Sequence, residues 1–125
     1  MKSGKKAIAL AISLTVSAPS FGADDWSTAD TWRQVAYTAV LAIDCAQTRY
    51  EISHPERHTG ERNPVVGQNP SKGYLNNLCV ATGLGHFGIS YVLPRQTRSI
   101  WQWSTISIEI VVVRGNYQIG SKLEF

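Results

Sequence analysis

The chain has 125 residues, 12 Lys+Arg against 9 Asp+Glu, 43% hydrophobic residues and 2 Cys. That length holds one domain, and two cysteines are too few for a disulfide-dense secreted scaffold. Lys2, Lys5 and Lys6 supply three of the twelve basic charges and no acid precedes Asp24, so the basic balance belongs to the first segment and gives no ground for a nucleic-acid partner.

Residues 1–23 read as a secretory signal peptide. The three lysines precede an apolar run from Ala7 to Val16, and Ser17, Ala18, Ser20, Gly22 and Ala23 follow as small residues. The run is half of what a bilayer crossing needs. Cleavage after Gly22 puts Ser20 at the −3 position and leaves a chain with nine residues of each charge.

Asp24–Asp30 is a polar entry, and Asp30 or Thr31 is the expected cap of a helix over Trp32–Tyr50. That stretch contains no Gly or Pro, is rich in Ala, and ends in Trp32 and Tyr50, rings suited to a membrane interface. At about 1.5 Å per residue it reaches roughly 28 Å, close to a hydrocarbon core. Residues 51–73 form a polar connector punctuated by Pro55, Pro64 and Pro70. His54 and His58 in it have metal-ligand spacing only on a helix, which Pro55 opposes; a solvated loop is the expectation.

Tyr74–Leu93 is a second apolar segment, stopped by Pro94, in which Ala81, Gly85 and Gly88 fall on one helical face. Small residues in that pattern let two helix backbones approach in lipid. A PRQTR connector leads to Ile100–Val113, rich in β-branched residues, flanked by Trp101 and Trp103 on one side and Arg114, Asn116 and Tyr117 on the other. Read with its rims, Ser99–Asn116 is a third spanning helix; taken alone the run fits a strand. Ser121–Phe125 is expected to be a disordered tail. The fold class predicted is therefore all-α: a membrane bundle of about three helices over residues 24–120.

With the mature N-terminus outside, Arg49, Arg57, Arg62, Lys72, Arg114 and Lys122 face the cytoplasm and Arg33, Arg95 and Arg98 face out, in line with the positive-inside bias. This topology puts Cys45 and Cys79 at one level near the cytoplasmic side, where they are expected to be free thiols. Asp44 and Glu109 lie at one depth, about 15 to 17 Å from the outer ends, with His86 somewhat nearer the outer side. Ionisable residues at such depth need protein or water around them. A polar seam is expected: Asp44, Gln47 and Thr48 on the first helix, His86 on the second, and Glu109 with Gln102, Thr105 and Asn116 on the third.

The patterns DCAQTRY at 44–50, ERNP at 61–64 and NPSKG at 69–73, with Asn76 at a helix start, resemble those of small uncharacterised integral membrane proteins of proteobacteria and their phages. The resemblance runs from about Trp26 to Gly120 and implies an integral membrane α-helical protein. It places Asp44, Gln47, Thr48, Glu61, Asn63, Pro64, Pro70, Ser71 and Asn76 in the family pattern and implies no activity.

Signatures of known catalysis are missing: no GxSxG, no Gly-rich phosphate loop, no HExxH, no paired CxxC. No cofactor is implied, and no metal site has supporting ligand spacing. The expected role is helix–helix contact through Ala81, Gly85 and Gly88, with self-association or another membrane protein as partner and membrane lipid around it in the inner membrane. Two other readings carry weight: a proton-coupled carrier or membrane enzyme using Asp44, His86 and Glu109, and a soluble periplasmic binding or inhibitor protein.

Overall fold

A computed structural model describes residues 26–57 and 70–125. The segment read as a signal peptide and most of the connector, with His58, Glu61, Asn63 and Pro64, lie outside the described residues. Among the described residues there are three helices, α1 Thr28–Ser53, α2 Lys72–Val92 and α3 Arg95–Gln118, with a 3₁₀ turn at Pro55–Arg57 after α1. The β-branched run in α3 is helical throughout, because its polar residues recur at helical spacing and point to one side.

Each helix starts earlier than its apolar stretch, for reasons of cap chemistry. Ser27, one turn ahead of the expected cap, accepts from the Asp30 amide at 3.2 Å while the Asp30 carboxylate accepts from the Ser27 amide at 2.9 Å, a capping box. Ser71 caps α2 by accepting from the Tyr74 amide at 3.0 Å. Pro94 precedes α3 directly, and its carbonyl accepts from the Arg98 amide at 2.7 Å. The PRQTR connector is thus the first turn of α3.

At the far end of α3 the Ser121 amide donates to the Asn116 carbonyl and the Gly120 amide to the Tyr117 carbonyl, both at 3.0 Å, with Gly120 at φ 92°. This Schellman pairing needs a left-handed residue. Gly120→Ala is expected to lower stability by about 1 kcal/mol, read as a shifted urea midpoint with an unchanged slope. The turn directs the last residues back over α1. The tail is docked and not disordered: the Glu124 amide donates to the Ala46 carbonyl at 3.0 Å, and its carboxylate accepts from Ser53 at 2.7 Å and pairs with Lys72 at 3.1 Å.

Helix α1 is central, packing most extensively on α3 and next on α2. The apolar core is small: Tyr37, Leu41 and Ile106, with Cys45 against them. Cys45 and Cys79 are joined by a disulfide, with Cα atoms 6.4 Å apart, which corrects the expectation of free thiols. Antiparallel α1 and α2 bring the two residues to one level, and a persistent bridge belongs to an oxidising compartment.

The three expected spans are corrected as well. Among the described residues no helix is long and apolar enough to cross a membrane. The segments are helical, but each carries a row of polar residues that lowers its average. The bridge also conflicts with the three-span topology, which puts its level on the reducing side. Reversing the topology would put six basic residues outside and three inside, against the charge bias.

Candidate functional site

The interior of the bundle is mostly polar. Asp30, Gln34, Gln47, His86, Ser90, Arg98 and Gln102 are buried, against Tyr37, Leu41, Ala46, Leu75 and Ile106 among apolar residues. They form three layers stacked along α1, because residues 30, 34, 37, 41, 44 and 48 follow one helical stripe and residues 98, 102, 105, 109 and 116 follow another on α3.

The first layer is a charge network at the start of α1. Arg98 is fully buried; its Nη1 pairs with Asp30 Oδ2 at 2.9 Å, its Nε donates to the Ser90 carbonyl at 2.7 Å, and its Nη2 donates to the Leu93 carbonyl at 2.9 Å. Arg33 pairs with the other Asp30 oxygen and donates from Nε to Gln102 Oε1 at 2.8 Å. Gln102 Nε2 donates to the Asp30 carbonyl at 3.2 Å, and the Trp26 ring lies 5.0 Å from the Arg98 guanidinium carbon. Burial works to raise the Asp30 pKa, but the Ser27 donors and Arg98 outweigh it and hold the carboxyl below its ordinary range.

The second layer is built on His86. Its ring stacks on Tyr37 at 3.5 Å between centroids and lies 5.1 Å from the Trp101 ring. Nδ1 is 3.1 Å from Gln34 Oε1 and Nε2 is 2.7 Å from Thr105 Oγ1. His86 thus bridges Gln34 of α1 and Thr105 of α3, whose hydroxyl also donates to the Trp101 carbonyl at 2.8 Å. Burial pushes the His86 pKa down to about 4.

The third layer joins α1 to α3. The Asp44 and Glu109 carboxyls face each other within hydrogen-bonding range. Asn116 Nδ2 donates to Asp44 Oδ1 at 3.2 Å and to Gln47 Oε1 at 3.1 Å, while Gln47 Nε2 donates to the Val113 carbonyl at 3.1 Å. Glu109 Oε2 is buried without a donor.

Of the expected seam, Asp44, Gln47 and Glu109 meet, whereas Thr48 bonds only its own helix, donating to the Asp44 carbonyl at 3.0 Å. His86 belongs to the neighbouring layer, with Tyr37 between it and the carboxyls: the Tyr37 ring stacks on His86, and its hydroxyl feels both Glu109 and Asp44. Of the expected loop residues that are described, Ser71 is a helix cap and Asn76 accepts a hydrogen bond from Arg49. His54 bonds the Tyr50 carbonyl at 2.7 Å. Among the described residues no group of three or more His, Cys, Asp or Glu is placed to hold a metal ion.

The charge network was missed from sequence, although extending the α3 stripe by one turn from Gln102 reaches Arg98. No family model, no curated protein and no solved structure matches the chain.

Proposed function

We propose that the chain is an exported, disulfide-bridged helical module that works by helix–helix contact, with itself or with a membrane protein, through the outward face of α2. The observation that carries this reading is the polarity of that face. Between Val80 and Val92 there is no Asp, Glu, Lys or Arg and the one His, His86, turns inward, while Val80, Leu84, Phe87, Ile89 and Val92 are exposed. Soluble monomers rarely leave a contiguous apolar face of this kind uncovered.

Two further features support a helix as the covering element. Ala81, Gly85 and Gly88 lie exposed among these apolar side chains, and a Cβ built on Gly85 or Gly88 meets nothing within 4 Å. The fold itself therefore makes no use of these two glycines. Gly83, by contrast, faces Leu41, which a Cβ there would meet at 3.6 Å. The outward Thr82 hydroxyl donates to the Leu78 carbonyl at 2.8 Å, so it asks nothing of its surroundings. The bridge favours an oxidising compartment, which supports the periplasmic alternative over the inner membrane for this module.

Gly85→Leu separates this role from folding. The new side chain enters open space and helix propensity improves by up to about 1 kcal/mol, so thermal stability is expected to hold or rise. Assembly is expected to fail, because a bulky side chain blocks close approach of a second backbone. The measurement is photocrosslinking from a probe at Leu84 in cells. Wild-type adducts to a second copy or to a membrane protein that vanish in Gly85→Leu support the reading; the same adducts in both chains would remove this face.

A further inference from the structure

The carboxyl pair between α1 and α3 has a feature the contact role does not use. Two carboxylates can accept hydrogen bonds but cannot donate one, so a hydrogen bond between Asp44 and Glu109 requires a proton. Among the described residues the surroundings supply no other compensation. From α1 the pair is faced by Tyr37, from α2 by His86 through the Tyr37 ring, and from α3 by the neutral amide of Asn116. No Lys or Arg among the described residues acts on either carboxyl. Among the described residues the one other direct donor to the pair is Asn116, and Glu109 Oε2 has none.

We propose that Asp44 and Glu109 form a single proton-binding site that locks α1 to α3, and that loss of this proton loosens the two helices. Bound, the proton lies between the two carboxyls and leaves the pair with one negative charge. Released to solvent, it leaves two negative charges facing each other with only amides to answer them, at the contact where α1 packs most extensively. Burial and the Asp44 charge push Glu109 up to about 7, and burial pushes Asp44 up against the hydrogen bonds from Glu109 and Asn116. The proton is therefore held under mildly acidic conditions and released near neutrality. A chain outside the cytoplasm would feel that change in its surroundings directly.

The sign of the pH effect follows. Between the ordinary glutamate value of 4.5 and about 7 the folded chain keeps a proton that the unfolded chain has released, so stability falls as pH rises through this window. His86 acts in the opposite direction, since its value drops from 6.5 to about 4 on burial and folding gains as pH rises between the two. The wild-type profile mixes both effects. Comparison with Glu109→Gln isolates the carboxyl pair, because the glutamine keeps a donor toward Asp44 and cannot ionise.

The test is thermal unfolding of the full, disulfide-bonded chain, with the exposed Glu56→Gln as control. The melting temperature of Glu109→Gln relative to wild type is expected to rise by about 4 °C or more between about pH 5 and about pH 8, and the control difference to stay flat. A pH-independent difference for Glu109→Gln overturns the proposal. Infrared spectra of the wild type give a second readout that needs no variant to fold. A protonated-carboxyl stretch at about pH 6 that disappears by about pH 8.5 supports the shared proton, and its absence at the lower pH overturns it.

Discussion

A chain with Cys45 and Cys79 both replaced by Ala is expected to melt about 15 °C or more below the wild type. The bridge joins residues 34 apart in sequence; removing a constraint on a loop of that size from the unfolded chain costs about 3 to 4 kcal/mol by the chain-entropy argument, and a domain of this length shifts by several degrees for each kcal/mol. The location adds to the effect. Helix α2 buries only Leu75, His86 and Ser90, so without the bridge it is held to α1 chiefly by the His86 layer and by Arg98 at the opposite end. Cys45 also packs against the Tyr37–Leu41–Ile106 core. The wild type under reducing conditions separates the cross-link from this packing. A reduced wild type that melts within a few degrees of the oxidised form would deny the bridge a structural role, and an unchanged mobility between reducing and non-reducing gels would deny the bridge itself.

The helices were legible because Pro94, Ser71 and the polar connector punctuate three apolar stretches. Their ends were not, since caps depend on which hydroxyl reaches which amide: Ser27 caps α1, and Asp30, one turn later, closes the box as its partner. The third layer was legible from depth, because equal distances from the helix ends put Asp44 and Glu109 opposite each other. The same count set His86 somewhat nearer the outer side yet within the same seam, whereas it occupies the adjacent layer on Gln34, Thr105 and Tyr37. What sequence hid was direction. Asp30 and Arg98 sit at helix starts, where charged residues commonly cap or face water, and nothing local says that two residues 68 apart will meet in the interior. Average hydropathy hid it too. Segments mixing Val, Ile and Leu with Gln, His and Glu read as spans carrying a few polar residues, whereas in three dimensions the polar residues gather inside and much of the apolar surface is left outside. This inversion explains how the helices can resemble membrane segments while none is apolar enough to cross alone.

The largest single-residue effect is expected at Arg98. Its side chain is 0% exposed and Asp30's is 1% exposed, so Arg98→Ala leaves a buried carboxylate with Arg33 and the Ser27 donors alone and orphans the carbonyls of Ser90 and Leu93. Breaking a buried ion pair from one side costs about 3 to 5 kcal/mol. A melting temperature lower by about 15 °C or more follows. Arg98→Lys is expected to recover little, because three acceptors in separate directions match a planar guanidinium fork and not a single ammonium. Arg33→Ala is expected to cost less, since Arg33 is 16% exposed and holds the Asp30 oxygen opposite the one Arg98 uses. Replacing both partners, as in Asp30→Asn with Arg98→Met, is expected to cost less than the sum of the single changes, which a double-mutant cycle reads as coupling between them. Acid titration provides an independent readout. A carboxyl held below its ordinary value of 3.8 contributes stability that is present above that value and lost as pH falls through its folded pKa. Removing Arg98 takes away one of the interactions holding Asp30 low, so the acid-unfolding midpoint of Arg98→Ala is expected to move to higher pH. A midpoint that stays in place while the melting temperature drops would assign Arg98 a packing role and leave the Ser27 donors as the ones that keep Asp30 ionised.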